Sequence, residues 1–315
     1  MTPHGADNTG ALTISVAAGK GGSGKTLVAT SLAVALTRDA PPGVELLDCD
    51  VEEPNADILL RPHCNSREPV HVMVPQVNQT LCTSCGRCAE ACQFSAIAVI
   101  RQAVIAFPEL CCGCGACSFV CPEDAISEVA RSVGVVDSGV TADGIRFYQG
   151  RVNVGEQRSA PVTKAVKRHI HDELVTIIDA PPGTACPMQE ALDGSDYCVL
   201  VTEPTPFGLS DLRAAVDTCR QLGVPYGVII NGDGVGDAGV EAYCADQRIP
   251  VLLRIPQERV IAEAYSRGET LAHAFPEWVA PLQDVFARVR DLIGGPAAAR
   301  WRGPIEPSTS VQRRR

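Results

Sequence analysis

The glycine-rich stretch GKGGSGKT at residues 19–26 constrains the fold of this chain more than any other feature. It lies between an apolar run, LTISVA (12–17), and a helical pattern, LVATSLAVALT (27–37), and it matches G-x4-G-K-T in the strand–loop–helix context that the motif requires. The glycines of such a loop let backbone N–H groups converge on phosphate oxygens. The motif also predicts that Lys25 reaches the β- and γ-phosphates and that Thr26 offers its hydroxyl to Mg²⁺.

Further apolar runs repeat the strand pattern along the chain. Each is short and continuous, which is typical of a parallel strand buried on both faces, and helical stretches separate them. The predicted strands are 44–48, 174–180, 196–202, 225–231 and 250–255, and the clearest helices are 208–222 and 258–266. This alternation predicts an α/β fold of the P-loop NTPase kind, with a mostly parallel sheet and helices on both faces.

The middle of the chain breaks this rhythm with an internal duplication. Residues 81–98, LCTSCGRCAEACQFSAIA, correspond to residues 110–127, LCCGCGACSFVCPEDAIS, at an offset of 29 residues. Each copy spaces four cysteines as C-x2-C-x2-C-x3-C, so that tight turns can aim neighbouring sulfurs at one metal centre. With fifteen cysteines and no export signal at the N-terminus MTPHGADNTG, the sequence favours metal ligation over disulfides.

The spacing resembles the run that holds two [4Fe–4S] clusters in bacterial ferredoxins, where the fourth cysteine of each run crosses to the other cluster. The resemblance assigns cluster 1 to Cys82, Cys85, Cys88 and Cys121, and cluster 2 to Cys92, Cys111, Cys114 and Cys117. Cys112 falls outside the register and is not predicted as a ligand, and Gln93 stands where the second copy has Pro122. The alternative is a zinc site on two CxxC pairs, which would use only four of the eight sulfurs.

A second cation inside the phosphate loop, Lys20, distinguishes this loop from the ordinary motif. KGGSGKT resembles the deviant Walker A sequence of the MinD/ParA/nitrogenase-iron-protein class of ATPases. The resemblance implies that Lys20 reaches across a dimer to the partner's nucleotide and acts like an arginine finger. It also implies a homodimer, or a heterodimer with a paralogue, with nucleotide held between the subunits.

Other strand ends match the same class. In LLDCDVEEPN, which resembles switch I, Asp50 takes the place of the carboxylate that orients the attacking water. In IIDAPPGT, which resembles switch II, Asp179 supports Mg²⁺, and Asn231 matches the residue that reads adenine. The aspartate expected three residues after Asn231 is replaced by Gly234. For Asp48, also at a strand end, the alternative is a helix cap.

The resemblance thus implies an ATP site with three groups of residues. The predicted catalytic residues are Lys20, Lys25 and Asp50. The predicted nucleotide-binding residues are Gly19, Lys20, Gly21, Gly22, Ser23, Gly24, Lys25, Thr26 and Asn231. The predicted Mg²⁺ residues are Thr26, Asp50 and Asp179.

Together these motifs resemble the ferredoxin-containing MinD/Mrp-type ATPases over about residues 12–280. The predicted organisation is an N-terminal ATPase segment (1–78), an inserted α+β ferredoxin-like domain with two [4Fe–4S] clusters (79–130), a C-terminal ATPase segment (131–292) and a disordered tail (293–315). Cys186, seven residues after Asp179, matches a cluster-ligating cysteine of the nitrogenase iron protein. It is a candidate transient cluster ligand, and a small buried residue is the alternative.

The leading functional hypothesis is an ATPase whose nucleotide-driven dimer switch is coupled to electron transfer through two [4Fe–4S] clusters, with a redox protein as partner. The alternative is an ATP-dependent iron–sulfur cluster carrier or assembly factor of the Mrp type, which would serve an iron–sulfur client protein. A MinD- or ParA-like positioning ATPase is less favoured. In each case ATP hydrolysis is expected, and it can be slow without a partner.

Charge and hydropathy limit the other classes. The net charge of −10 gives no overall electrostatic case for nucleic acid as a partner. No apolar run approaches the roughly 18 residues that a membrane-spanning helix needs. The sequence therefore predicts a cytoplasmic protein with no nucleic-acid partner and no membrane span.

Overall fold

A computed structural model of the chain describes residues 11–38 and 43–294. The strands in these ranges are β1 (Thr13–Ala17), β2 (Val44–Asp48), β3 (His63–Val77), β4 (Ile97–Ile100), β5 (Ala103–Ala106), β6 (Ile126–Val140), β7 (Arg146–Val152), β8 (Val175–Asp179), β9 (Tyr197–Thr202), β10 (Tyr226–Asp233) and β11 (Val251–Pro256).

The α-helices in the same ranges are α1 (Lys25–Leu36), α2 (Ala56–Leu60), α3 (Arg87–Ala91), α4 (Ala116–Phe119), α5 (Ala160–Lys167), α6 (Cys186–Leu192), α7 (Pro206–Leu222), α8 (Gly239–Asp246), α9 (Arg259–Ser266), α10 (Leu271–Ala274) and α11 (Val279–Gly294). Short 3₁₀ turns occur at Pro108–Leu110 and Pro276–Trp278.

Nine strands form one sheet in the order β11-β10-β9-β1-β8-β2-β7-β6-β3. From β11 to β7 every neighbouring pair is parallel, whereas the pairs β7–β6 and β6–β3 are antiparallel. The predicted α/β fold with a mostly parallel sheet is therefore confirmed, and an antiparallel extension is added along one edge.

The sheet has a hydrophobic core on each face, because successive side chains of a strand point to opposite sides. In β1, Ile14 and Val16 belong to the core that also contains α1 and α11, whereas Ala17 belongs to the core that contains α5, α6, α7 and α8. Every residue of α1 is buried, since the helix lies between the sheet and α10 and α11. Helices thus cover both faces, as the continuous apolar strands indicate.

The two longest strands, β3 and β6, are not among the predicted elements. β3 is polar in its first half and contains Pro69 and Pro75, so its sequence is not typical of a buried strand. At the edge of a sheet these prolines are tolerated, since one row of backbone groups there needs no partner strand. Its partner β6 is likewise mostly exposed over its first half.

The outer halves of β3 and β6 extend beyond the sheet. β7 pairs with β6 only from Gly134 to Val140. Beyond that point residues 70–77 and 126–134 continue as a two-stranded antiparallel structure, which we call the ribbon. The ribbon ends in residues 78–125, which we call the cysteine-rich segment, and which contain α3, the β4–β5 hairpin and α4.

Two further predictions concern the chain ends and the membrane. In the described ranges no helix is both long and apolar enough to cross a bilayer. The first two residues of the predicted tail, Ile293 and Gly294, end α11, and the remainder of that tail lies outside the described residues.

Candidate functional site

The phosphate loop connects β1 to α1 and packs tightly against two other elements. Gly24 has a left-handed φ of 91°, and a Cβ at this position would lie 2.2 Å from Asn231 Nδ2. A Cβ at Gly19 would lie 2.2 Å from the carbonyl oxygen of Asp211 in α7. Both positions therefore require glycine, because any side chain would push the loop away from the elements that position it.

Lys25 is the centre of a buried charge cluster. Its Nζ donates to Asp50 Oδ2 and to Asp179 Oδ1, each at 3.3 Å. Burial alone lowers the pKa of Lys25, but the charges of Asp179, Asp50 and Asp48 outweigh it and the pKa rises above its ordinary value. Burial raises the pKa of Asp50, and the charge of Lys25 opposes that rise. The structure thus brings together Lys25, Asp50 and Asp179 from three separate regions of the sequence.

The second carboxylate oxygen of Asp179, Oδ2, is buried and has no hydrogen-bond partner among the described residues. A buried acceptor without a partner is costly unless a ligand supplies one. Asp50, which contacts the same lysine as Asp179, places a second carboxylate beside this oxygen. The donor set therefore fits a hard cation such as Mg²⁺.

Asp48 has a structural role beside this cluster. Its Oδ2 accepts from the backbone N–H groups of Asn55 and Ala56, at 3.2 and 3.1 Å, at the first turn of α2. Its Oδ1 accepts from the N–H of Asp50, and Gln149 Nε2 in β7 donates to Oδ2 at 3.1 Å. The helix-cap alternative thus describes Asp48, which holds the β2–α2 loop (residues 49–55) in place and so positions Asp50.

We expect Asp48 to make the stability of the nucleotide-free protein depend on pH. Burial raises the pKa of Asp48 to about 7, the charge of Asp179 adds to the rise, and hydrogen bonds from Ala56 and Gln149 oppose it. Below about pH 7 the folded protein keeps a proton that the unfolded chain releases at its ordinary pKa of about 3.9. The free energy of unfolding therefore decreases as the pH rises between these two values.

Urea unfolding of wild type and Asp48→Asn between about pH 5 and about pH 8 measures this contribution. The asparagine cannot titrate, so wild type should lose stability relative to the variant as the pH rises. Parallel pH profiles for the two proteins would show that Asp48 does not titrate in this range.

Lys20 and Asn231 make contacts within the chain. Lys20 Nζ lies 3.2 Å from Glu203 Oε2, and the two side chains are 37% and 36% exposed. Asn231 Nδ2 donates to the carbonyl oxygen of Ser23 at 2.9 Å, so it braces the phosphate loop. The predicted roles of these residues toward nucleotide stay predictions.

The eight predicted cluster cysteines line two recesses in the cysteine-rich segment. The first recess is lined by Cys82, Cys85, Cys88 and Cys121. The second recess is lined by Cys92, Cys111, Cys114 and Cys117, and Cys112 joins them in its wall. Each recess thus combines three cysteines of one copy with the fourth cysteine of the other copy, in the grouping that the ferredoxin resemblance implies.

The duplication extends to the backbone around the sulfurs. Sulfur atoms of Cys82 and Cys111 accept from the N–H groups of Ser84 and Gly113, each at 3.4 Å. The fourth cysteines repeat the pattern, since Cys92 and Cys121 accept from N–H groups four residues later at 3.3 Å. Left-handed residues also recur at equivalent positions, namely Ser84 and Gly113, Gly86 and Gly115, and Ser95 and Asp124. Both copies therefore fold into the same local structure.

Within the described ranges, no three His, Cys, Asp or Glu side chains converge on a single point as ligands of one metal ion.

The cysteines outside the two recesses differ in their burial. Cys186 is exposed and begins α6, so the small buried residue that was its alternative is excluded. Cys49, Cys198, Cys219 and Cys244 are buried in the core and Cys64 is exposed.

Sequence patterns did not identify two residues that shape the site. Glu203 pairs with Lys20, and Gln149 links β7 to Asp48. Glu203 directly follows β9, in the stretch TEPTPFGLSDL (202–212), and none of the sequence motifs assigns it a role. Gln149 lies on a strand without a clear sequence signal, and its contact depends on strand pairing.

Comparison with known proteins identifies the class. Residues 14–271 match the CobQ/CobB/MinD/ParA nucleotide binding domain, so the chain belongs to that family. The uncharacterized protein MJ0578 of Methanocaldococcus jannaschii is 32% identical over 227 residues, which cover 71% of this chain and 79% of that protein. A second protein of the same organism, MJ0579, is 28% identical over 263 residues, which cover 82% of this chain and 90% of its own length.

Solved structures agree on the fold. The septum site-determining protein MinD of Pyrococcus horikoshii, complexed with Mg-ADP, has a TM-score of 0.55 and 20% identity over 90% of this chain and 98% of its own. The cell division ATPase MinD of Pyrococcus furiosus has a TM-score of 0.53 and 20% identity over 89% of this chain and 99% of its own. The predicted class, a P-loop nucleotide-binding protein of the MinD/ParA kind, is thus confirmed. The ferredoxin-like insert and its clusters stay predictions.

Proposed function

We propose that this protein hydrolyses ATP and couples the nucleotide-driven switch of a dimer to electron transfer through two [4Fe–4S] clusters. The observation that carries the proposal is the pair of four-cysteine recesses at the end of a ribbon that is hydrogen-bonded, through β7, to the loop bearing Asp50. No other arrangement in the described chain combines duplicated thiol sites with a nucleotide site.

The nucleotide chemistry follows from the charge cluster. Lys25 is protonated and lies at the N-terminus of α1, where it neutralises phosphate charge together with the loop N–H groups. Thr26, Asp50 and Asp179 would hold Mg²⁺, and the unpartnered Asp179 Oδ2 supports this assignment. Asp50 orients the attacking water, while Asp48 holds the loop on which Asp50 lies. The MinD protein of P. horikoshii was complexed with Mg-ADP, which favours adenine nucleotide here as well.

Three features of the recesses support iron–sulfur clusters. The four thiols of each recess come from both copies, and backbone N–H groups donate to sulfur at equivalent positions. Beside the second recess, the guanidinium of Arg158 lies 5.0 Å from the ring centroid of Phe94, a wall residue. The Nη1 atom of Arg158 is buried without a partner among the described residues, so a positively charged donor is available beside the recess for an anionic group. A bound [4Fe–4S] cluster would accept and release single electrons.

A continuous set of hydrogen bonds joins the nucleotide site to the ribbon. The N–H of Val152 in β7 donates to the carbonyl of Val51 in the β2–α2 loop at 3.0 Å. A Cβ on Gly150 would lie 2.5 Å from Val51 Cγ1, so the strand and the loop are in close contact. β7 pairs with the part of β6 from Gly134 to Val140. The remaining part of β6, between Gly134 and Ile126, belongs to the ribbon and spans about 27 Å at 3.4 Å per residue. Movement of the loop on nucleotide binding can therefore displace the ribbon.

The partly exposed Lys20 supports the dimer aspect of the proposal. Its ion pair with Glu203 is weak because solvent reaches both side chains, so Lys20 can exchange Glu203 for a phosphate in the partner subunit. A redox protein is the partner expected for the cysteine-rich segment.

The second candidate function is an iron–sulfur carrier or assembly factor. The exposure of Cys186 at the start of α6 favours it, because a cluster handed to a client needs an accessible thiol.

An anaerobic redox titration followed by electron paramagnetic resonance, with and without MgATP, tests the proposal. We expect about eight iron atoms per chain, two interacting signals, and midpoint potentials that shift when MgATP binds. Lys25→Ala, which removes the phosphate-binding cation, is the control and should keep the iron but lose the shift. Two clusters with unmoved midpoints would favour the carrier function, and protein assembled with iron and sulfide that still shows no clusters would reject both.

A further inference from the structure

The second recess differs from the first by one additional thiol. Cys112 lies in its wall together with Cys92, Cys111, Cys114 and Cys117, so five sulfurs surround one recess. At the offset of 29 residues the equivalent position in the first copy is Thr83, which lies in the wall of the first recess. The position thus faces its recess in both copies, but only the second copy places a thiol there.

The side chains of Cys112 and Cys114 line the same recess. Only Gly113 separates the two cysteines along the chain. Gly113 has a left-handed φ of 72°, and this turn brings the two side chains to the same side. Cys114 is exposed whereas Cys112 is half-buried, so a thiol in the wall lies next to the accessible one.

We propose that Cys112 is a reserve ligand of the second recess, able to replace Cys114 on the same iron of a [4Fe–4S] cluster. This inference rests on the proposed function. With a cluster bound, the exchange would break the bond from iron to the sulfur of Cys114 and form one to the sulfur of Cys112. Cys114 would take up the proton that Cys112 loses, so the exchange would need no electron and no further reactant.

Reserve ligation suits the location of the second recess. Pro75 and Glu128 of the ribbon line this recess, and Phe94 in its wall contacts Arg158 of the loop before α5. The second recess therefore borders the ribbon and the loop before α5, so movement of the ribbon would act on a ligand of this recess. A second thiol beside the exposed Cys114 would let a bound cluster keep four sulfur ligands when Cys114 is displaced.

Matched alanine variants test the inference in the full-length protein. Cys114→Ala should keep about eight iron atoms per chain and both paramagnetic signals, whereas Cys85→Ala, the equivalent change in the first copy, should lose iron and one signal. Cys112→Ala combined with Cys114→Ala should lose the signal of the second recess. Equal losses in Cys114→Ala and Cys85→Ala would overturn the inference.

A gain of ligand provides a test that misfolding cannot imitate. Thr83→Cys combined with Cys85→Ala should restore the signal of the first recess, whereas Thr83→Ser with Cys85→Ala should not. No restoration would show that a thiol at this position cannot reach the cluster. If the wild-type protein holds two clusters but Cys114→Ala loses the signal of the second recess, only the reserve-ligand inference is rejected. Wild type without clusters rejects the proposed function as well.

Discussion

Lys20→Ala is expected to lower the rate of ATP hydrolysis by about 10³-fold or more, which is the range that a charge supplied across an interface contributes to phosphoryl transfer. The side chain of Lys20 is 37% exposed, and its one ion-pair partner among the described residues is Glu203. Its charge is therefore available to a second subunit. Lys25, which is buried on two carboxylates, remains to bind phosphate in the variant. Steady-state kinetics should show a loss of turnover in the variant. A separate binding measurement should show little change in its affinity for nucleotide.

Two variants serve as controls for Lys20. Lys164→Ala removes an exposed lysine of α5, away from the phosphate loop, and should not change turnover. Glu203→Gln removes the partner of Lys20 within the chain and should keep or raise turnover, since the lysine is then free to reach the other nucleotide. If Lys20→Ala hydrolyses ATP at the wild-type rate, the charge acts in neither subunit and the proposed dimer mechanism is wrong.

Asp50→Asn is expected to lower hydrolysis by about 10²- to 10⁴-fold, the usual contribution of a carboxylate that handles the proton of the nucleophile. Asp50 is one of two carboxylates that contact Lys25, and its position depends on the hydrogen bond between its own N–H and Asp48. The amide keeps the shape of the side chain but cannot accept a proton. We expect retained ATP binding and an unchanged iron content, because the cysteine-rich segment lies at the far end of the ribbon.

Glu52→Gln is the matched control for Asp50, because it removes one negative charge from an exposed position of the same β2–α2 loop. It should hydrolyse ATP normally. Rapid-quench measurement of a single turnover separates the chemical step from product release. An Asp50→Asn protein that still cleaves ATP at the wild-type rate in a single turnover would contradict the assigned role. Loss of iron in this variant would instead show that the nucleotide site and the cysteine-rich segment fold together.

Local sequence was sufficient to predict the regions of the protein whose structure and chemistry depend on a few consecutive residues. The phosphate loop is contiguous, and its glycines and Lys25 must lie between a strand and a helix to work at all. The buried strands are recognisable because both faces meet a hydrophobic core, and 44–48 is a strand with these same limits. The grouping of the cysteines likewise follows from spacing and duplication. Each recess contains the four cysteines grouped in this way, and Cys112 is an additional member of the second recess.

The strands at the edge of the sheet have a weaker sequence pattern than the buried strands. β3 and β6 have polar, partly exposed sequences, and their stability comes from hydrogen bonds to each other and, for β6, to β7. Such pairing joins residues as distant as His63 and Val140, so no window of sequence contains the information. The ribbon that carries the cysteine-rich segment was therefore not predicted, although the segment itself was.

Short stretches of sequence contain the components of this protein: a MinD/ParA-type phosphate loop, carboxylates at strand ends and two copies of a four-cysteine run. The way in which these components meet depends on the folded chain. Lys20 pairs with Glu203, Asp48 caps α2 and accepts from Gln149, and Cys112 faces the second recess. These contacts join residues by side-chain direction and strand register, which arise from packing across the whole sheet, whereas the motifs arise from chemistry within a few consecutive residues.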